Sequence, residues 1–188
     1  MTKNTIIHWR ESDFYTHVPV LREILVISSG TVVEFGCGHG STPIINQYAN
    51  DKGIKCYTFD SNPEWIGQFT KYHGDYHKII PIGDSLDSWE HILSTKMLSI
   101  RHISLAFIDQ SPWEARVLCL NSIKKYADYV ILHDCDYFPR NGLLGKPNGT
   151  YAGDFSDVFT YHQTFDIVRP PTLVGSMYRE CNFKPNWE

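Results

Sequence analysis

The sequence predicts an α/β fold: a doubly wound, mostly parallel sheet with helices on both faces. Two observations carry this reading. Five short β-rich runs alternate with helix-like stretches between Thr31 and Asp134, the order that builds a parallel sheet by right-handed crossovers. The fourth run, ISLAFID (103–109), is almost continuously apolar, as a strand covered on both faces must be.

Each element follows from its residues. HVPVLREILVIS (17–28) reads as an N-terminal helix covering the sheet, and TVVEF (31–35) as the first strand, ending in glycines. STPIINQYAND (41–51) follows as a helix with Ser41 or Thr42 as its cap and Pro43 in its first turn. IKCYTFD (54–60) and HKIIPIGD (77–84) are strands, separated by the helical NPEWIGQFTKY (62–72). SLDSWEHILSTKML (85–98) and PWEARVLCLNSIKKY (112–126) are helices around the fourth strand, the latter spaced through Val117, Leu120 and Ile123. ADYVILHD (127–134) is the fifth strand. The alternation then stops. Residues 135–154 are rich in Gly, Pro and Asn without a period, which marks a functional loop or lid. FSDVFTYHQ (155–163) reads as a short helix, and TFDIV (164–168) and TLVGSMY (172–178) as two final strands.

The 188 residues are expected to form a single domain, 42% apolar and 20% charged, with a formal net charge of -4. That balance gives no general attraction to nucleic acid or anionic lipid. The five cysteines are scattered and lack a C-x-x-C pair, which fits reduced thiols in a cytoplasmic setting better than a disulfide framework or zinc site. Neither a signal-peptide pattern nor an 18-residue apolar run is present, so no membrane partner is expected.

The chemistry centres on VVEFGCGHGSTP (32–43). Gly36, Gly38 and Gly40 let the backbone turn tightly beside a ligand, and the helix that follows offers unpaired N–H groups. A dinucleotide site prefers G-x-G-x-x-G, but this loop is G-C-G-H-G with Glu34 before it. A carboxylate there disfavours pyrophosphate and suits a ligand carrying ammonium and sulfonium charges. His39 inside the loop reads equally as a solvated spacer or a contact.

VVEFGCGHGS resembles the first motif of class I S-adenosylmethionine-dependent methyltransferases, E/D-x-G-x-G-x-G, and further segments match that family in order. The resemblance covers about residues 31–178 and implies a Rossmann-like fold whose closing strands are an antiparallel hairpin. It implies cofactor contacts from Glu34, Gly36, Gly38, Gly40 and Ser41, and from Asp60 with Ser61 at the ribose. Asp84 and Ser85 of IGDS would lie near the adenine, and Asp109 of LAFIDQ at the fourth motif. Asp60 and Asp84 can alternatively cap the helices after them, and Trp65 is either an adenine stack or a buried aromatic.

Methyl transfer is an in-line displacement, so the protein positions the acceptor and removes its proton. Asp109, His133 and Asp134, at the ends of the fourth and fifth strands, are the candidate catalytic groups. Two mechanisms stay open. One of them acts as general base, or Asp109, Asp134 and Asp136 hold Mg²⁺ or another hard divalent cation that acidifies the hydroxyl. The latter resembles catechol-type and related sugar O-methyltransferases, which carry an Asp-Asn pair after the fifth strand. Cys135 stands where that Asn would be, and cysteine is a poor ligand for a hard ion. Tyr137, Phe138, Tyr151, Phe155 and Tyr161 can stack on sugar rings or simply pack locally. A sugar or glycan hydroxyl is the first expected acceptor. A phenolic or other small metabolite is the alternative, and a nicotinamide-dependent oxidoreductase is the competing activity.

Overall fold

The structure, a computed structural model, describes residues 10, 12–135, 158–168 and 170–188. Strands β1 (Thr31–Phe35), β2 (Cys56–Asp60), β3 (His77–Pro81), β4 (Ile103–Ile108), β5 (Ala127–His133), β6 (Tyr161–Phe165) and β7 (Thr172–Ser176) form one sheet in the order β3-β2-β1-β4-β5-β7-β6. The first five run parallel, while β7 is antiparallel to both β5 and β6. The expected Rossmann-like sheet with an antiparallel C-terminal strand is therefore present. Strand order reverses between β1 and β4, and the cleft at such a switch point is where open α/β sheets bind ligands.

Side chains alternate across the central strands, so each face has its own core. On one face α1 (Val18–Ile27) and α2 (Thr42–Lys52) bury Leu21, Ile24, Ile45 and Ala49 against Val32, Leu105, Phe107 and Ile131. On the other, α4 (Leu86–Thr95) and α5 (Trp113–Ile123) bury Trp89, Leu120 and Ile123 against Phe35, Ala106, Ile108 and Leu132. Burying each such aliphatic or aromatic side chain contributes about 1.5–3 kcal/mol. The helix after β2 is shorter than its sequence suggests: α3 spans Pro63–Gly67, followed by a 3-10 turn at Thr70–Tyr72.

One element differs in kind. Tyr161–Gln163, expected in a helix, open strand β6, which pairs with β7 from Tyr161↔Ser176 to Phe165↔Thr172. Pairing with β7 at the sheet edge overrides the weak local preference of a half-exposed segment. The 135–154 loop beyond Cys135, with Asp136, Tyr137, Phe138 and Tyr151, lies outside the described residues, as does Phe155. None of the five cysteines is disulfide-bonded, and no helix among the described residues is long and apolar enough to cross a membrane.

Candidate functional site

A cavity of about 410 Å³ opens at the carboxyl ends of β1, β2, β4 and β5. Its first half is the glycine loop. Gly36 has φ of +95°, and a Cβ there would lie 2.8 Å from the backbone of Gln110. Only glycine lets the end of β1 pass so close to the end of β4. Asp60 ties the loop down: one carboxylate oxygen accepts from the Cys37 N–H at 2.7 Å, the other from the Asn62 N–H at 2.8 Å. The Trp65 indole N–H donates to the Cys37 carbonyl at 2.7 Å. Burial raises the Asp60 carboxyl above its ordinary value, against the pull of these N–H groups. Cys37, Gly38, His39, Gly40, Asp60, Ser61, Asn62 and Trp65 all face the cavity.

Glu34 has a different place from the one its motif suggested. It is fully buried beneath the loop and does not line the cavity. One carboxyl oxygen accepts from Thr58 Oγ1 at 2.6 Å and Thr42 Oγ1 at 2.9 Å, and Thr42 Oγ1 accepts from the Gly38 N–H. Burial pushes Glu34 up to about 8, against the opposing pull of the Ser41, Thr58 and Thr42 hydroxyls. A protonated carboxyl near neutral pH presents no charge to a ligand; it joins β1, β2 and the start of α2. Ser41 and Gly36 likewise build the loop without facing the cavity. Neither Ser41 nor Thr42 caps α2: Ser41 holds the cap position without a side-chain cap bond, and the Thr42 hydroxyl serves Glu34 and Gly38 instead.

Asp84 and Ser85 are exposed and outside the cavity. Ser85 accepts from the Ser88 N–H as the cap of α4, the place the sequence reading offered to Asp84.

The second half is a charged cluster at the ends of β4 and β5. Arg116 on α5, only 7% exposed, donates to the carbonyls of Gln110 (2.6 Å), His133 (3.0 Å) and Asp109 (3.2 Å). Its guanidinium also pairs with Asp109 Oδ1 at 2.9 Å and Asp134 Oδ2 at 3.3 Å. His133 Nδ1 lies 3.2 Å from Asp109 Oδ1 and 3.3 Å from Asp134 Oδ1. Burial works against the Asp109 carboxylate, but His133 and Arg116 outweigh it and hold the group down at about 2. Burial also opposes a charged His133, yet Asp109 and then Asp134 hold it above its ordinary value. Asp134, with φ of +50°, is raised, chiefly by burial.

Asp109, His133 and Asp134 thus converge as expected, and all three face the cavity. The arrangement does not fit a hard ion held by Asp109 and Asp134, because the Arg116 guanidinium bridges the two carboxylates.

Two residues of the cluster escaped the sequence reading. Arg116 sits four and seven residues before Leu120 and Ile123, so it lies on their apolar face of α5. A cation on a buried stripe was the available signal. His17, just before α1, is 2% exposed, and its ring stands edge-on to His133 with centroids 4.5 Å apart. No pattern in the sequence distinguishes it. Gly40 makes room for it, since a Cβ there would lie 3.0 Å from His17 Nε2. Ser12, Phe14 and Tyr15 continue this wall, and Phe14 is 78% exposed.

No family model matches the sequence, and no curated protein matches it. Solved structures do resemble the fold. Human methyltransferase-like protein 13, in complex with SAH, aligns with a TM-score of 0.59 at 15% identity, over 93% of this chain and 84% of that one. A candidate caffeoyl-CoA O-methyltransferase from Staphylococcus aureus aligns at 0.53 and 14% identity, over 84% and 80%. Spermidine synthase from Thermotoga maritima aligns at 0.52 and 13% identity, over 90% of this chain and 59% of that one.

Proposed function

We propose that this chain, which has the Rossmann-like fold of class I methyltransferases, is an S-adenosylmethionine-dependent methyltransferase acting on a hydroxyl of a small acceptor. The observation that carries the proposal is a single cavity joining the glycine loop and Asp60 to the Asp109–His133–Asp134 cluster. The fold alone does not choose the reaction, since a spermidine synthase shares it. The residues favour a cationic ligand. Asp60, Asp109 and Asp134 bring carboxyl groups to the cavity, so the preference first read from Glu34 belongs to these groups instead. A nicotinamide cofactor fits less well: its pyrophosphate would face the same carboxyl groups, and its usual sheet lacks the antiparallel β7 between β5 and β6.

Gly38, Gly40 and the loop backbone would hold the cofactor's amino-acid end, with Asp60 and Ser61 at the ribose. When bound, the cofactor supplies an electrophilic methyl group and its own leaving group. The chain has to orient the acceptor and take its proton. Asp134 suits that task better than Asp109. Burial raises Asp134 above its ordinary value, whereas Asp109 is held at about 2 by His133 and Arg116. Asp109 and Arg116 then act as positioning residues that fix His133 and Asp134.

A phenol or similar small metabolite is favoured over a sugar as acceptor. The exposed Phe14 ring and Tyr15 line the cavity beside His17, and planar aromatic surfaces stack well on such rings. The candidate caffeoyl-CoA O-methyltransferase is named for an aromatic acceptor.

The test is methyl transfer from S-adenosylmethionine onto a panel of phenols and sugars, with and without Mg²⁺, read by mass spectrometry. Transfer to a phenol is expected, with Asp134→Asn slowing it by roughly 10²–10⁴ while cofactor binding persists. Full turnover in that variant would remove Asp134 as the base, and transfer to sugars alone would reverse the choice of acceptor.

A further inference from the structure

The wall of the cavity holds a grouping that the methyl-transfer reading uses only in part, since it leaves His17 without a role. His17, Asp109 and His133 each offer one ligand atom, and these atoms lie within 4.8 Å of one another. Both ring nitrogens of His17 are buried without a hydrogen-bond partner among the described residues, an arrangement that native structures rarely leave unexplained.

The second observation is the tautomer of His133. Thr16 Oγ1 has one proton, and it donates that proton to the Pro170 carbonyl at 2.7 Å. The 3.0 Å contact between Thr16 Oγ1 and His133 Nε2 therefore runs the other way, with Nε2–H donating. Neutral His133 must then carry a lone pair on Nδ1. That lone pair lies 3.2 Å from one carboxylate oxygen of Asp109 and 3.3 Å from one of Asp134, without the geometry of a hydrogen bond. A lone pair facing two carboxylates calls for a cation between them, either a proton or a metal ion.

We propose that His17, Asp109 and His133 form a binding site for one late first-row divalent ion of the Zn²⁺, Co²⁺ or Fe²⁺ type. The ligands would be a ring nitrogen of His17, a carboxylate oxygen of Asp109 and Nδ1 of His133. Two imidazoles and one carboxylate select borderline ions over Mg²⁺, which takes oxygen ligands. Thr16 supplies the outer partner that fixes the tautomer of a ligating histidine. Bonds of about 2.0–2.2 Å place ligand atoms about 3.0–3.5 Å apart, so binding draws His17 inward by side-chain rotation. Charge favours the ion: the carboxylates of Asp109 and Asp134 face the single guanidinium of Arg116. Three protein ligands leave positions open toward the cavity, where an acceptor hydroxyl could bind and become acidic. That use rests on the methyl-transfer reading; ion binding itself does not.

The experiment is long-range ¹H–¹⁵N NMR of the histidine rings in metal-stripped, ¹⁵N-labelled protein, titrated with Zn²⁺ and separately with Mg²⁺. One equivalent of Zn²⁺ should shift His133 Nδ1 and one His17 nitrogen together while His133 Nε2 keeps its proton, and millimolar Mg²⁺ should shift neither. In parallel, Co²⁺ should give visible absorption bands that Zn²⁺ displaces, with affinity at least tenfold weaker in His17→Gln. Three results would overturn the site: both rings unshifted by Zn²⁺, Zn²⁺ bound only at other histidines, or His133 Nδ1 protonated throughout. S-adenosylmethionine binding, measured on the same metal-free protein by calorimetry, fails or succeeds separately.

Discussion

The two halves of the cavity are built by different physics. The glycine-loop half is held by backbone contacts and hydrogen bonds: Gly36 against Gln110, the Cys37 N–H on Asp60, and Glu34 beneath them between threonine hydroxyls. The opposite half is held by charge, with Arg116, Asp109, His133 and Asp134 converging from three elements. A backbone-built half tolerates little change of shape and is nearly indifferent to salt. A charge-built half tolerates shape changes better, but suffers when one partner is removed and the others stay buried.

The largest effect should come from shape. Gly36→Ala forces a side chain into φ of +95° and to within 2.8 Å of the Gln110 backbone. A loss of about 3 kcal/mol or more is expected in urea unfolding, and a loss under 1 kcal/mol would mean that the loop relaxes freely. Next comes the charged half. Arg116→Met leaves Asp109 and Asp134 without their shared cation and should cost about 2–3 kcal/mol, below the figure for a fully buried pair because both carboxylates are partly exposed. Adding Asp109→Asn and Asp134→Asn to it should recover part of that cost, because the uncompensated charges go too. If the triple variant is no more stable than Arg116→Met alone, the cluster is not held by charge.

The smallest effect, counted per pH unit, is a slope from the first half. Glu34 moves from an ordinary 4.5 to about 8 in the folded protein, so the fold binds its proton more tightly than the unfolded chain does. Its contribution is full below about pH 4.5 and is lost as the pH rises to about 8, at no more than about 1.4 kcal/mol per pH unit. Glu34→Gln should flatten thermal stability across that window. An unchanged slope would mean that Glu34 is ionised in the fold.

The same contrast decides what could be read from the sequence. The glycine loop is contiguous, so spacing alone located Gly36, Gly38 and Gly40, and the apolar run of β4 revealed the buried sheet. The position of Glu34 in the motif does not show which way its side chain points, and in the structure it is buried against Thr42 and Thr58. The charged half is assembled across the chain. Asp109, His133 and Asp134 stand at strand ends, a placement that the strand pattern of the sequence makes visible. His17 and Arg116 reach them from helices, and only tertiary packing makes them neighbours. Strand β6 begins three residues before the expected strand TFDIV (164–168) for a similar reason, since its partner β7 lies across a turn and its partly exposed side chains carry no strong period.

The central claim is that both halves serve one bound cofactor, and calorimetric titration with S-adenosylmethionine tests it most directly. The account predicts one site for S-adenosylmethionine and none for NAD. Affinity should fall at least tenfold in Asp60→Ala and stay within about twofold in Asp134→Asn, since one residue faces the cofactor and the other the acceptor. NAD binding without S-adenosylmethionine binding would contradict it, as would S-adenosylmethionine binding that is indifferent to Asp60.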